Sequence, residues 1–297
     1  FPPLPMKSQR LTILNFKDTF PDNKTCLDFL FKARFQSPKC GKCGGTKFYK
    51  HPTRACYTCG KGCTHLWPKE GTIFDHSSTD LVKWFFAIFL MSQSRNGVAA
   101  KELERALGVT YKCAFRIGHQ VRKLMKDNAF TLFGEVEADE TAVGGKRPGP
   151  RGRGAKGKTI VFGQLQREGK MNTAIVENVK AVTLMPHFQN NIAKSSKLMT
   201  DELKSYKKIA RLLEMEHDSV NHGAKQYAKE NGTHTNTIEG FWSQLKRSLD
   251  RTHHVISQKM LHAYVSEFQW RYNNRESLIH LFDLLLSRVS SQQGEGV

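Results

Sequence analysis

Three carboxylates stand out by type and spacing. Asp139 lies near the end of the alternating stretch FGEVEADETAVGG (133–145), and Asp201 falls at the end of SKLMTDE (196–202). Glu239 follows in THTNTIEGFWSQLKRS (233–248), with 37 residues between it and Asp201. On a helix, Asn236, Glu239, Ser243 and Lys246 share an arc of about 80° beside the apolar stripe Ile238, Phe241, Trp242 and Leu245. A lone Glu on such a face is ordinarily a solvated residue. Two further carboxylates change the reading, because three converging carboxylates repel unless cations fill the gap. Magnesium takes hard oxygen ligands, few of them from protein and the rest from water and phosphate. Two such ions about 3.5–4 Å apart clamp the attacking and leaving oxygens of an in-line phosphoryl transfer. Asp139, Asp201 and Glu239 are therefore the expected ligands of two Mg2+ or Mn2+ ions. The Asn236 amide would orient a ligand or water, and the Lys246 amine, with Arg247 beside it, would hold phosphate.

The thiols suggest a second metal. Cys40-Gly-Lys-Cys43 and Cys56-Tyr-Thr-Cys59 form two C-x-x-C pairs separated by a hairpin-length segment, the spacing of a tetrahedral structural zinc site. One zinc ion on these four thiolates would staple a ribbon too small to hold a core. Cys26, Cys63 and Cys113 are read as small buried hydrophobes, and His65 as a weaker alternative ligand. The sequence does not open on a secretory apolar segment. Thiols or metal ligands are thus expected before disulfides, and secretion is not.

The elements that must position the carboxylates can be read from periodicity. Three strand patterns run over 133–145, 159–166 and 171–180 as a meander. Helix and strand patterns then alternate at 183–192, 196–202, 206–214 and 217–222 before the Glu239 helix. That is the ribonuclease-H-like order, in which two acids end adjacent central strands and a third comes from a later helix. Upstream, NGVAAKELERALGVTYKCAFRIGHQVRKLM (96–125) has the form of a helix-turn-helix, with Gly108 at the turn and Thr110 as N-cap. Its second helix is expected to turn Lys112, Arg116 and Arg122 outward, to phosphates and a major groove.

The formal charge is +19 and the isoelectric point about 9.7, which points to a polyphosphate partner. The apolar fraction of 39% excludes disorder throughout, and the longest apolar run, LVKWFFAIFLM (81–91), is too short to span a membrane. The Gly- and Arg-rich stretch at 144–158 buries nothing. Its Lys146, Arg147, Arg151, Arg153, Lys156 and Lys158 are read as a basic arm on DNA.

At these residues the chain resembles the DDE transposases of bacterial insertion sequences that carry an N-terminal zinc ribbon, relatives of the Merlin transposons. The likeness runs from about Phe20 to Arg275. Besides the cysteine pairs, it rests on GTIF (71–74), KWFFAIFLM (83–91), DETAVGG (139–145), GRGAKGK (152–158), TDELKSY (200–206), HTNTIEGFWSQLKR (234–247) and FQWRYNNR (268–275). The resemblance implies that Asp139, Asp201 and Glu239 are the catalytic triad, supported by Asn236 and Lys246. It also implies cleavage at transposon ends and transfer of the freed 3′-OH into double-stranded target DNA by a dimer or larger assembly. The expected fold is α+β and multidomain. It has an N-terminal region (1–75) with the zinc ribbon (40–59), a helix-turn-helix region (76–130), a ribonuclease-H-like domain (131–255), and C-terminal helices with a tail (256–297). Its place of action would be cytoplasm or nucleoid in a bacterium, nucleus in a eukaryote. A catalytically silent DNA-binding protein or repressor is the alternative, which the intact acidic set disfavours. A nuclease or resolvase of the same fold would not need two separate DNA-recognition modules.

Overall fold

The computed structural model describes residues 11–144, 158–220, 234–253, 256–277 and 279–291, which fall into two units. Of the described residues, one unit takes those within 11–94, 100–124 and 277–291, and the other those within 95–99 and 125–276. In the first unit, a capping box between Thr12 and Asn15 starts α1 (Ile13–Thr19). Asp22 starts α2 (Asn23–Arg34) by accepting the Thr25 amide at 2.7 Å. An antiparallel ribbon of β1 (Phe48–Lys50), β2 (Tyr57–Cys59) and β3 (His65–Leu66) follows. The apolar run at 81–91 becomes α3 (Leu81–Gln93). It is apolar on nearly every side, and Trp84, Phe85, Ile88 and Met91 are fully buried. Among the described residues, no helix is long and apolar enough to cross a membrane. The helix pair is α4 (Ala100–Leu107) and α5 (Tyr111–Leu124), with Gly108 between them at φ +59°, a left-handed turn that glycine adopts without strain.

The second unit contains β4 (Glu135–Val143), β5 (Thr159–Gln166), β6 (Met171–Val176), α6 (Ala181–Asn191), β7 (Lys197–Thr200), α7 (Lys204–Leu212), β8 (Glu216–Ser219), α8 (Asn236–Ser248) and α9 (Leu261–Asn273). Its five strands lie in the order β6-β5-β4-β7-β8. The meander β4-β5-β6 is antiparallel, and β7 and β8 join parallel to β4. This is the ribonuclease-H-like order. Both faces of the sheet are covered, as β5 shows by alternation. Phe162 packs with Leu184, Phe188, Tyr206 and Ile209 of α6 and α7. Val161 and Leu165 pack with Ile238, Phe241, Trp242 and Leu245 of α8 and with α9. Edge strand β6 is occupied by α9. Asn273 accepts from the Met171 amide at 2.8 Å, and Gln269 accepts from the Thr173 amide at 2.8 Å. The expected C-terminal segment is divided, since α9 belongs to the second unit and α10 (Leu281–Ser291) to the first.

Candidate active site

Register brings Asp139 and Asp201 together. Parallel pairing of β4 with β7 ends at Ala138↔Thr200, so the next residue on each strand is an aspartate. Strand β4 runs on to Val143 while β7 stops at Thr200, which leaves an open edge where Asp201 departs. One oxygen each from Asp139, Glu140 and Asp201 lies within 4.8 Å of the others. Glu140 was not expected here, because successive strand residues face opposite ways. It keeps to the α6–α7 face of β4, opposite Phe162 in the β4–β5 register, where the Tyr206 hydroxyl of α7 donates to its Oε2, and one of its oxygens still comes within 4.8 Å of both aspartates.

Each aspartate is aimed by a donor. Trp242 Nε1 of α8 donates to Asp139 Oδ2 at 3.0 Å, and the Leu203 amide donates to Asp201 Oδ1 at 2.9 Å. Gly163 stands opposite Asp139 in the β4–β5 register, and a Cβ there would sit 2.7 Å from Trp242 Cζ2. The indole reaches Asp139 only because this position is glycine. Burial first, then the charges of Glu140 and Asp201, pushes the Asp139 carboxyl up to about 7. Crowded hard oxygens that resist ionisation together suit a divalent cation.

Glu239 is not part of this cluster. It lies on the exposed side of α8 with Asn236, Ser243, Lys246 and Arg247, and its Oε1 accepts from Thr235 Oγ1 at 3.0 Å. It is one helical turn from Trp242, which touches Asp139.

Comparison with known proteins fits this geometry. Residues 131–273 match the ISXO2-like transposase domain. An uncharacterised transposase-like protein of Haemophilus influenzae is 32% identical over 107 residues, which are 36% of this chain and 84% of that protein. This chain belongs to the ISXO2-like transposase family. An uncharacterised protein of the transposable element ISH50 of Halobacterium salinarum is 26% identical over 279 residues, 85% of this chain and 92% of that protein. A solved pre-cleavage Mos1 transpososome is similar at 11% identity, covering 72% of this chain and 80% of that one with a TM-score of 0.26, too low to bear on function.

In this transposase the thiol cluster differs from the expected set. The sulfurs within 4.8 Å of one another belong to Cys40, Cys43, Cys59 and Cys63, and Cys56 is replaced by Cys63. Cys59 ends β2, whereas Cys56 sits in the bend before that strand and its sulfur is not among the four. Cys56 is fully buried, and burial raises its thiol. The second knuckle is instead Cys59-Gly-Lys-Gly-Cys63. It is closed by Gly62 at φ +71°, the Gly62 amide on the Cys59 carbonyl at 2.7 Å, and the Cys59 amide on the Thr64 carbonyl at 2.9 Å. The first knuckle turns at Gly44, φ +70°, whose amide meets the Cys40 carbonyl at 2.9 Å. Backbone amides of Cys43 and Lys42 help draw the Cys40 thiol down to about 7. Cys43 and Cys59 sulfurs are 3.5 Å apart, near the ~3.8 Å edge of a tetrahedron with Zn–S of about 2.3 Å.

Of the expected DNA contacts, Lys112 and Arg116 are exposed on α5 and Arg247 on α8, while Lys158 is half-buried at the start of β5. Arg122 is a correction. It is only 4% exposed, because its guanidinium folds back over Gly118, where a Cβ would lie 3.0 Å from Nη1. Lys146, Arg147, Arg151, Arg153 and Lys156 lie outside the described residues.

Proposed function

We propose that this transposase cuts double-stranded DNA at the ends of its element and joins the freed 3′-OH to target DNA by two-metal-ion phosphoryl transfer. The observation that carries the reading is the convergence of Asp139 and Asp201 at the edge of β4 left open beyond the end of β7, in a chain of this family. Asp139 and Asp201 would hold Mg2+ or Mn2+, with Glu140 at the same edge and Glu239 supplying a third carboxylate from α8. Bound there, the ions supply Lewis-acid stabilisation of the phosphate and of the attacking oxygen. The protein's part is orientation. Trp242 keeps Asp139 aimed, and the Leu203 amide keeps Asp201 aimed. Lys246 and Arg247 present cations to DNA phosphates on the exposed face that carries Glu239, and Asn236 orients water or substrate there. Lys112 and Arg116 bind DNA from α5. Cys40, Cys43, Cys59 and Cys63 would hold one structural zinc, which contributes folding energy and no chemistry. Two or more copies would hold a pair of ends.

The test is Mg2+- or Mn2+-dependent cleavage and joining of DNA bearing the element's own ends, in wild type, Asp139→Asn and Glu239→Gln. Removing a ligand should slow cleavage on the order of 10³-fold, equivalent to several kcal/mol, with DNA affinity retained. Tight DNA binding without cleavage by wild type would leave the silent DNA-binding protein as the reading.

A further inference from the structure

Helix α8 lacks a cap of its own. Thr235, at the N-cap position, makes no side-chain capping bond. The Ile238 amide donates instead to Glu137 Oε2 of β4 at 2.9 Å, and Thr237 Oγ1 donates to Glu137 Oε1 at 2.9 Å. Glu137 is fully buried, and a buried carboxylate at a helix N-terminus is favoured by the helix dipole provided its charge is met. Arg167 meets it. Its Nε donates to Glu137 Oε1 at 2.8 Å and its Nη2 to the His234 carbonyl at 3.0 Å, so the segment entering α8 is tied to the same strand.

Glu137 and Asp139 share one face of β4, about 6.6–6.8 Å apart along the strand. Their partners on α8, Ile238 and Trp242, are four residues apart, about 6 Å along the helix axis. The two spacings match, so α8 is fastened to β4 at two points, and Glu239 lies between them. We infer that Glu137 and Arg167 are positioning residues that set where Glu239 stands relative to the Asp139–Asp201 pair. The inference rests on reading Glu239 as the third metal-holding carboxylate.

Glu137→Gln keeps the shape and removes the charge that Arg167 and the helix terminus require. The hydrogen bonds that Glu137 accepts are charge-assisted, so weakening them should raise the Mg2+ concentration for half-maximal cleavage of element-end DNA by about 10–100-fold at unchanged DNA affinity. Amide exchange in the first turns of α8 should quicken as well. Thr237→Val, which deletes one hydrogen bond and little volume, should move the same midpoint by about tenfold and keeps the test alive should Glu137→Gln fail to fold. A lowered maximal rate with an unmoved Mg2+ midpoint would mean a merely structural contact and overturn the inference. If wild type itself does not cleave, the phosphoryl-transfer reading fails, and exchange decides the clamp alone. Faster exchange in Glu137→Gln upholds the fastening of α8, and unchanged exchange overturns it.

Discussion

The thiol cluster of the first unit and the carboxylate cluster of the second are built on opposite plans. The thiols all fall between residues 40 and 63, and two left-handed glycine turns with a short hairpin bring them together. The carboxylates come from two strands far apart in the chain and meet only because β4 and β7 share a register and β7 ends first. The first cluster is a property of local turns. The second is a property of the whole sheet and the helices on it. A local site is sensitive to which ligand is present, and a tertiary site to packing at residues that touch no metal.

The largest effect should appear where ligand identity decides folding. A structural zinc site carries about 10–16 kcal/mol of binding free energy. Cys63→Ser should therefore empty the zinc site and leave the ribbon unfolded, while Cys56→Ser should retain zinc and lose only a small buried side chain. Metal content of the purified variants reads this directly. Zinc kept by Cys63→Ser and lost by Cys56→Ser would return the site to the two equal C-x-x-C pairs.

The two clusters should also answer pH in opposite senses. Asp139 holds its proton up to about 7 in the folded chain, against an ordinary 3.8. A group raised on folding stabilises fully below its unfolded value and loses that contribution as pH climbs through its folded value. Metal-free, the second unit should lose stability between about pH 4 and pH 7, by about 4 kcal/mol at about 1.4 kcal/mol per tenfold change in protonation ratio. Added Mg2+ should reverse the loss, and Asp139→Asn should flatten the profile. Denaturant midpoints across that window, with and without Mg2+, measure it. The thiol cluster runs the other way, since its ligands must be deprotonated and zinc binding weakens as pH falls.

This difference in plan also decides what could be read in advance. Local periodicity suffices for the strands and helices of the second unit, and the two aspartates were legible as acids on neighbouring strand patterns, Asp139 within β4 and Asp201 just past the end of β7. Glu140 was not, since strand parity sends it to the face of Tyr206, and alternation does not show that its carboxylate still reaches within 4.8 Å of both aspartates. Glu137 is one polar position of an alternating strand, and alternation alone does not show that α8 covers its face, so that its charge meets Arg167 and a helix terminus. Counting spacings chose Cys56 over Cys63 because a C-x-x-C match takes no account of the left-handed Gly62 turn that closes the knuckle after Cys59. Arg122 looked outward on a helical wheel, which cannot show that Gly118 leaves room for its guanidinium to lie back along the helix.

The smallest expected effects separate the two plans most cleanly, because one substitution type can be made at each cluster. Gly44 has open space around it and φ +70°, so Gly44→Ala meets no neighbour and suffers only left-handed strain, about 1–2 kcal/mol. Gly163 carries no such dihedral, but Gly163→Ala drives a methyl group to 2.7 Å from Trp242 Cζ2, an overpacking cost of about 1–3 kcal/mol. The totals are similar and the remedies differ. Trp242→Phe shortens the ring that blocks Gly163→Ala, so the double variant should be more stable than the two single losses added together predict. It should still cleave DNA poorly, because the Nε1 donor to Asp139 is gone. No substitution at a packing neighbour should relieve Gly44→Ala, whose strain lies in its own backbone. Denaturant midpoints of the two singles and the double variant make the comparison. Strict additivity at Gly163 and Trp242 would mean that the carboxylate site is no more dependent on distant packing than the thiol site.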